Sequence, residues 1–344
     1  MSVSMKEVAR ATGVSVMTVS LSLRGDSSIP EVTRNRIIAA AKKLNYRKNP
    51  MVSALMAGLR RTRGRASERV VIAYIENQPR VGQHPSLALF RAGAAEAATV
   101  LGFKLETFQI GETGLVESRL LSVLNARGIT GVVFAPFLQA GAQLNLDWSQ
   151  HAMAAIGFSL VSPVLHRTVV HHAHAMQLAL TELTQLGYRR IGFAVSPDED
   201  NRVDRAWLAR FLLYRYEHGG EASFPIYRDS DTSESTVVAW MEQQRPDALV
   251  FTTYPSLETL QTMTRRRGLS HIGLAHLHLL PNMKGCAGIN QRHALVGAAA
   301  VDLVVEQLNS NQLGVPKFPK VVHTRGCWVP GASAPGLGPQ RDPT

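Results

Sequence analysis

VSVMTVSLSLRG, at residues 14–25, has the capping signals and the spacing of a short exposed helix. Ser15 supplies the side-chain oxygen that caps a helix start, and Gly25 suits the left-handed residue that follows a helix end. Val19 and Leu23 are four residues apart, so they share one face, which we expect to be buried. The other face carries Val16, Met17, Ser20, Leu21 and Arg24. The helix is therefore predicted to expose several apolar side chains.

Two more helices are predicted on either side of this one. Ser4 can cap a first helix that ends at Thr12 and Gly13. A short turn then leads into VSVMTVSLSLRG, which is the arrangement of a helix-turn-helix. A third helix, from about Glu31 to Asn45, is expected to pack on the first two. Its core-facing side chains are predicted to be Val32, Ile37, Ala41 and Leu44.

The positive charge of the chain is concentrated at its N-terminal end. The 344 residues contain 37 Lys or Arg and 26 Asp or Glu, which gives a net charge of +11. Residues 1–65 hold 13 basic against 3 acidic residues, whereas the rest hold 24 against 23. A basic module joined to a nearly neutral body is typical of a nucleic-acid-binding domain. A solvated basic arm is the alternative, but the helical periodicity argues against it.

MKEVARATGVSVMTVSLSLRG and TRNRIIAAAKKLNYRKNP resemble the DNA-binding headpiece of LacI/GalR-type transcription regulators. The turn glycine, the V-S-x-x-T-V-S run, the T-R pair and the L-N-Y triplet match at the same spacing. The resemblance implies that Val16, Met17 and Leu21 read bases in the major groove, and Ser20 shares their face. It assigns phosphate contacts to Ser4, Thr18, Arg24, Thr33, Arg34 and Tyr46, for which capping or packing is the alternative role.

Leu21 departs from the arginine that many members of this family carry at its position. An arginine there holds guanine O6 and N7 with two hydrogen bonds, which discriminates against other bases by about 1–3 kcal/mol. Leucine makes no such bond. We therefore expect contacts with thymine methyl groups or recognition of DNA shape, unless Arg24 supplies part of the polar contacts.

NPMVSALMAGLRRTRGRASE, at residues 49–68, combines an apolar segment with a basic one. Residues 51–57 can form a helix, but one too short to be stable alone in water. The resemblance implies a hinge helix that orders on DNA and inserts Leu55 into the minor groove. An apolar linker packed on the body is the alternative. RRTRGR, at 60–65, is predicted to be a flexible basic linker.

From Val70 onward, short β-rich runs such as VVIAYI, TGVVFA, RIGFAV and DALVFT alternate with helical stretches. This alternation predicts βαβ units and mostly parallel sheets. Roughly 250 residues of such units exceed one sheet, so two lobes are expected. The predicted fold class is α/β, with a helix-turn-helix headpiece and two doubly wound lobes. The layout is similar to the periplasmic-binding-protein-like effector domain of the same family.

These patterns also predict domain boundaries. Residues 1–47 are the headpiece and residues 48–68 the hinge helix and linker. Residues 69–328 are the ligand-binding and dimerisation domain, with one lobe at about 69–160 and 290–328 and the other at 161–289. The Gly- and Pro-rich residues 329–344 are predicted to be a disordered tail.

A cleft between the two lobes is the expected place for a small-molecule effector. The resemblance places candidate contacts at Asn77, His172, His174, Arg202, Arg205, Thr253 and His276. Histidine replaces the usual Asn or Asp at several of these positions, so the sugar-binding set is largely missing. HHAH at 171–174 and HLH at 276–278 raise a metal ion or an anion as an alternative ligand. Histidines that are merely solvated or hydrogen-bonded need no ligand, and no metal or cofactor is predicted.

The composition excludes several other classes of protein. With 45% apolar and 18% charged residues the chain resembles a soluble globular protein. It has no apolar run long enough for a membrane span and no signal peptide, which favours the cytoplasm over a transport receptor. The two cysteines lack metal spacing, and no G-x-S-x-G or phosphate-binding glycine loop occurs, so an enzyme is not expected.

The sequence therefore predicts a homodimeric, sequence-specific transcription regulator. Its expected partners are double-stranded operator DNA, a small-molecule effector and a second copy of the chain, with no membrane. Repression is the expected activity, controlled by a ligand that changes the angle between the lobes. The alternative is a constitutive DNA-binding or architectural protein with a degenerate pocket, and the missing sugar-binding set supports it.

Overall fold

A computed structural model gives the fold and describes residues 5–23, 29–44, 46, 70–77, 85–111, 114–137, 139–219, 224–231, 233–252 and 256–337. The chain divides into two compact units. The first is Met1–Glu68 with Val305–Leu313, and the second is Arg69–Val304 with Gly314–Thr344.

The N-terminal unit contains the predicted helix-turn-helix. Its helices are α1 (Met5–Thr12), α2 (Val16–Ser22) and α3 (Glu31–Lys43). Gly13, with a φ of 65°, makes the turn after α1, because glycine adopts the left-handed conformation without strain. The Ser15 side chain caps α2 by accepting a hydrogen bond from the backbone N–H of Thr18. The buried core consists of Val8, Ala9, Val19, Ile37 and Ala41.

Val32 is not part of this core, and its prediction was wrong. Its exposed fraction is 83%, whereas Ile37 is fully buried. Five residues along a helix with 3.6 residues per turn separate the two side chains by about 140° around the axis. Ala41 and Leu44 follow Ile37 by four and seven residues, so they return to its face, where Ala41 is buried and Leu44 packs at the edge.

The first lobe of the larger unit is built on a six-stranded sheet with the order β13-β7-β5-β3-β1-β2. All its neighbouring strands are parallel, as predicted. Its strands are β1 (Val71–Glu76), β2 (Lys104–Gln109), β3 (Gly131–Phe134), β5 (Ala152–Ile156), β7 (His166–Val170) and β13 (Val321–Thr324). A separate two-stranded sheet pairs β4 (Ala142–Gln143) with β6 (Leu160–Ser162). The helices of this lobe include α4 (Pro85–Val100) and α5 (Glu117–Ala126).

The second lobe has a six-stranded sheet with the order β14-β12-β11-β10-β8-β9, in which only the edge strand β14 is antiparallel. Its strands are β8 (Ile191–Val195), β9 (Ile226–Arg228), β10 (Ala248–Phe251), β11 (Gly273–His276), β12 (Ala287–Asn290) and β14 (Cys327–Val329). Its helices include α6 (His172–Gln185), α7 (Pro197–Arg202), α8 (Ala206–Glu217), α9 (Glu234–Gln244) and α10 (Leu257–Arg266). Aromatic side chains of α8, such as Phe211, pack in its core.

The last long helix, α11 (His293–Ser310), returns from the second lobe to the first. The hydroxyl of Thr168 in β7 donates a hydrogen bond to the carbonyl oxygen of Val296, at 2.9 Å. Gly297 faces Phe90 of α4 so closely that an added Cβ would lie 2.0 Å from the Phe90 carbonyl oxygen. The helices α4 and α11 therefore pack backbone to backbone.

The lobe boundary differs from the predicted one at residue 161. Strand β7 pairs with β5 and β13, so residues 161–170 belong to the first lobe. Residues 327–328 belong to the second lobe, because β14 pairs with β12. The chain therefore crosses between the lobes after β7, after β12 and after β13. Strand pairing with distant segments decides these boundaries, and a local pattern does not reveal such pairing.

Residues 330–337 contradict the predicted disordered tail. The Ser333 hydroxyl donates to the carbonyl oxygen of Leu274 and accepts from the N–H of Ala287. The Tyr188 hydroxyl donates to the carbonyl oxygen of Pro335 at 2.7 Å, and Ala334 is buried. Gly and Pro make this segment irregular, but its backbone hydrogen bonds fix it to the second lobe. Residues 338–344 lie outside the described residues.

Candidate functional site

The outward face of α2 is the first candidate site. Val19 is fully buried beneath it, while Val16 is 40% exposed and Leu21 is half-buried. The Thr18 hydroxyl lies 2.9 Å from the Ser15 hydroxyl, so both take part in capping the helix. Val16 and part of Leu21 thus leave apolar surface exposed on α2. The side chains of Met17 and Ser20 lie outside the described part.

The predicted phosphate contacts are only partly within the described residues. Thr33 and Arg34 lie half-buried in the first turn of α3. Tyr46 packs against the headpiece core, and its burial raises the pKa of the phenol. Packing is therefore one role of Tyr46. Ser4, Arg24 and the predicted hinge residue Leu55 lie outside the described residues.

The second candidate site is a cavity of about 380 Å³ between the two lobes of the larger unit. It lies at the carboxyl ends of parallel strands in both sheets, where open α/β sheets bind ligands. Pro136 follows β3, Gly157 follows β5 and Gln291 follows β12. The residues that line the cavity also include the first residue of α6, His172, and of α11, His293. Its volume is within the usual range for a small-molecule site, about 300–1,000 Å³.

Most of the cavity wall from the first lobe is apolar. Its apolar residues are Leu87, Phe90, Pro136, Ile156, Val169 and Val170, with Val296 from α11. Val203 and Trp207 extend this surface from the second lobe. The polar side chains are Ser86, His172, Glu199, Arg202, His278, Gln291 and His293. The cavity therefore has an apolar wall on one side and concentrates its polar groups around the other.

His172 and Trp207 form an edge-to-face pair in this wall, with ring centroids 5.0 Å apart. Burial, helped by the nearby His293, His323 and His171, lowers the pKa of His172 to about 3. The imidazole is therefore uncharged near neutral pH. Within the described part of the chain, His172 Nδ1 and Trp207 Nε1 are buried and have no hydrogen-bond partner. Leaving a buried polar group unpaired costs about 1–3 kcal/mol, so these atoms are unusual and need an explanation.

Arg202 connects the lobes across the cavity. Its Nη2 donates a hydrogen bond to the carbonyl oxygen of Phe137 in the first lobe, at 3.0 Å. Burial lowers the pKa of the guanidinium, but arginine remains charged in proteins. The neighbouring carboxylate of Glu199 accepts from the Thr252 hydroxyl at 2.6 Å and from the Ser196 hydroxyl at 3.3 Å. Glu199 thus accepts hydrogen bonds from its own lobe, while Arg202 donates one to the first lobe.

Other histidines surround this region. The rings of His278 and His293 are 4.6 Å apart, and His293 meets Phe90 edge to face. His172 also lines a second cavity of about 290 Å³, together with His171 and His323. No group of three or more His, Cys, Asp or Glu side chains among the described residues is arranged to hold a metal ion.

The structure separates the predicted effector residues into two groups. His172 and Arg202 line the cavity, whereas Asn77, His174, Arg205 and His276 do not. The Nδ1 of His276 accepts a hydrogen bond from the N–H of His278 within its own lobe, and Arg205 Nε donates to Asn201. Thr253 lies outside the described residues.

Sequence reasoning missed Phe90, Glu199, Trp207, Gln291 and His293. Phe90 and Trp207 lie in helical patterns that looked like ordinary core, so no local signal marks them. In the structure Gln291 directly follows strand β12 and His293 begins the long helix α11, but no strand was predicted there. A position between strand and helix at the carboxyl edge of a parallel sheet is a signal that would have identified both.

A family model described as "Bacterial regulatory proteins, lacI family" matches residues 4–49. The HTH-type transcriptional regulator PtxS of Pseudomonas plecoglossicida is 24% identical over 90% of this chain and 91% of its own length. The HTH-type transcriptional regulator reg1 of Streptomyces lividans is 26% identical over 60% of this chain, and that match spans only 57% of reg1.

Solved structures support the same fold. The lac repressor dimer bound to operator and the anti-inducer ONPF has a TM-score of 0.56, with 17% identity, over 97% of this chain and 99% of that one. The headpiece and the two-lobed body define the class of helix-turn-helix transcription regulators. Within this class, residues 4–49 match the lacI family model, and the similarity to PtxS extends over 90% of the chain. The relatives named above are regulators and not enzymes, and no helix in the described residues is long and apolar enough to cross a membrane.

Proposed function

We propose that this protein is a homodimeric repressor that binds operator DNA in the cytoplasm and responds to a small molecule between its lobes. The observation that carries this proposal is the combination of a lacI-type headpiece with a cavity bridged by Arg202. The lac repressor structure, which contains operator and an anti-inducer, supports the same architecture for that protein. A ligand beside Arg202 would change a contact that joins the lobes, and so couple binding to the angle between them.

DNA recognition is proposed for the outward face of α2. Val16, Met17 and Leu21 would contact base edges, with Ser20 on the same face. Phosphate contacts are proposed for Ser4, Thr18, Arg24, Thr33, Arg34 and Tyr46, and minor-groove insertion for Leu55. The exposed apolar strip with Val16 supports contacts with thymine methyl groups. Half-sites would then carry thymine where arginine-bearing relatives read guanine.

Selection of bound sequences from a random duplex library, with the full chain, tests this proposal. A palindromic motif with thymine at the contacted steps is expected from a dimer. Leu21→Arg should shift that position toward guanine by about 1–3 kcal/mol, or roughly 5- to 150-fold in preference. Ala39→Arg, on the exposed surface of α3, adds the same charge and should leave the motif unchanged. No selected motif, or a non-palindromic one, would refute the dimeric repressor.

Ligand control has its own test. If a ligand changes operator affinity by some factor, operator DNA must change ligand affinity by the same factor. Titration of ligand with and without the selected operator measures both. Arg202→Met should reduce this coupling, because Arg202 lines the cavity. It should leave the selected motif unchanged, because Arg202 is not one of the proposed DNA contacts.

A constitutive regulator is the second candidate function. The incomplete set of sugar-binding residues favours it, since Asn77 and His276 do not line the cavity. It predicts a selected DNA motif whose affinity no sugar, nucleobase or organic acid alters. A compound that raises the melting temperature and also releases DNA would rule it out.

A further inference from the structure

We propose that the effector is a small carboxylic acid with a compact apolar body, and that its carboxylate binds beside Trp207, His172 and Arg202. This inference rests on the proposed effector-responsive function and specifies the chemical class of its ligand. Three features of the cavity carry it: the apolar wall, the two buried nitrogens that lack partners, and the distribution of charge.

The apolar wall determines the body of the ligand. Phe90, Ile156 and Val169 belong to the first lobe and are largely withdrawn from solvent, as is Val296 of α11. Such a surface gains free energy by covering hydrocarbon or an aromatic ring, and offers no partners to hydroxyl groups. A sugar carries a hydroxyl on nearly every carbon, so several of its hydroxyls would lose their water bonds here without replacement. The body of the ligand is therefore apolar.

The two buried nitrogens determine its polar end. Trp207 Nε1 is a donor only, so its partner must be an acceptor. The neutral ring of His172 carries one proton, and with that proton on Nδ1 it also donates. Both atoms are buried and lack partners within the described chain, and their rings are in contact. A group with two acceptor oxygens that reached both nitrogens would satisfy both donors together.

Charge distinguishes a carboxylate from a neutral carbonyl compound. Arg202 and Glu199 place opposite charges in the cavity wall, and Glu199 and Asp198 act electrostatically on Arg202, so the excess of positive charge comes from two helices. The helices α6 and α11, of 14 and 18 residues, begin at His172 and His293 in the same wall. Helix N-termini carry partial positive charge, which favours an anion at this end. The polar end of the ligand is therefore an anionic group with two oxygens.

Calorimetric titration of the full chain with four probes tests the chemical class of the ligand. The probes are 3-phenylpropanoate, 3-phenylpropan-1-ol with the same skeleton but no charge, and the sugar cellobiose; hexanoate is added as a carboxylate without a ring. We expect a carboxylate to bind at least tenfold more tightly than the alcohol, with no measurable binding of cellobiose. A tenfold difference corresponds to about 1.4 kcal/mol.

Two variants locate the contact. Trp207→Phe keeps an aromatic ring but removes the N–H, and should weaken carboxylate binding by about tenfold with little change for the alcohol. Trp240→Phe is the matched control, because Trp240 packs against Tyr227 in a separate core and does not line the cavity. Melting curves of both variants without ligand show whether folding is retained. Equal effects of the two variants, or equal losses for acid and alcohol, would overturn the assignment.

The outcomes separate this inference from the proposed function. If a DNA motif is selected but neither carboxylate binds, or the alcohol or cellobiose binds better, the carboxylate assignment is wrong while the regulator stands. If a carboxylate binds with the expected order but no motif is selected, the DNA-binding proposal fails instead. Binding of a carboxylate that also releases the selected operator supports both.

Discussion

The headpiece and the two-lobed body differ in the size of the hydrophobic cores that stabilise them. Among the residues that the structure describes, the headpiece core has five buried apolar residues including Ile37, whereas single cores in the two lobes contain 16 and 21. In a small core, one truncated side chain removes a large share of the stability. In a large core, truncating one side chain removes a smaller share of the stability. The positions most sensitive to substitution are then those where two backbones are in contact. The comparison predicts that different kinds of substitution damage the two units.

Gly297→Ala should have the largest effect. The new Cβ would lie 2.0 Å from the carbonyl oxygen of Phe90, and the reciprocal Gly93 is equally close to Ala294. Because two helices must move apart, we expect the body to lose more than about 3 kcal/mol of unfolding free energy, measured by urea denaturation. Gly102→Ala is the control, since it has a φ of 82° but nothing within 4 Å, and should cost only about 1–2 kcal/mol. Similar losses for both would show that backbone contact is not the weak point of the body.

Ile37→Ala should be the most damaging side-chain truncation in the headpiece. Ile37 is fully buried, so the expected loss is about 2–5 kcal/mol, enough to unfold a small module. Hydrogen exchange of the full chain should show fast exchange in residues 5–44 and unchanged protection in the body. Ile38→Ala, at a neighbouring side chain that is 45% exposed, should leave exchange nearly unchanged. Loss of protection in the lobes would contradict the expectation that this substitution damages the headpiece and not the body.

Acidification should destabilise the body through His172. Its pKa is about 3 in the fold against an ordinary value of 6.5, so the unfolded chain takes up the proton first. The stabilisation is present above pH 6.5 and is lost as the pH falls from 6.5 toward 3. By linkage, about 2 kcal/mol should disappear between pH 7 and pH 5.

Urea denaturation at several pH values measures this slope. His172→Gln should reduce the slope, and His271→Gln, at an exposed position, should not. Burial also lowers the pKa values of His151, His174 and His323, so part of the slope should remain. An unchanged slope in His172→Gln would show that His172 is not the main titrating group.

Ser15→Ala should have the smallest effect of these substitutions. It removes the hydrogen bond from the Thr18 N–H to the Ser15 hydroxyl, which is 3.1 Å long, and should cost the headpiece about 1 kcal/mol. Hydrogen exchange should accelerate roughly fivefold in α1–α3. Asn35→Ala, at an exposed position of α3, provides the comparison. No acceleration would mean that the cap does not limit headpiece stability.

Local signals made the headpiece predictable from the sequence. Ser15 as a cap, Gly13 as a turn and the burial of Val19 all depend on residues within one or two helical turns of each other. The alternation of strands and helices identified two parallel sheets for the same reason. The prediction failed at Val32, which was expected in the core but is exposed. Its spacing of five residues from Ile37 places it on a different face of the helix.

Prediction of the residues that line the cleft needed information that no short stretch of sequence contains. His172 and Arg202 were predicted as cavity residues because the resemblance placed them there, but Trp207 and Phe90 looked like ordinary core. The lobe boundary near β7 and the ordered residues 330–337 were likewise decided by pairing with distant strands.

The sequence by itself determined the helix-turn-helix, the α/β class and the resemblance of the headpiece to the lacI family, because caps, periodicity and short motifs act over a few residues. Only the tertiary structure decided which side chains share the cavity. Three chain crossings bring residues from 86 to 296 into one wall, and burial there sets the protonation of His172 and leaves Trp207 Nε1 without a partner among the described residues. Those properties arise from desolvation and long-range packing, which exist only once the two lobes have formed.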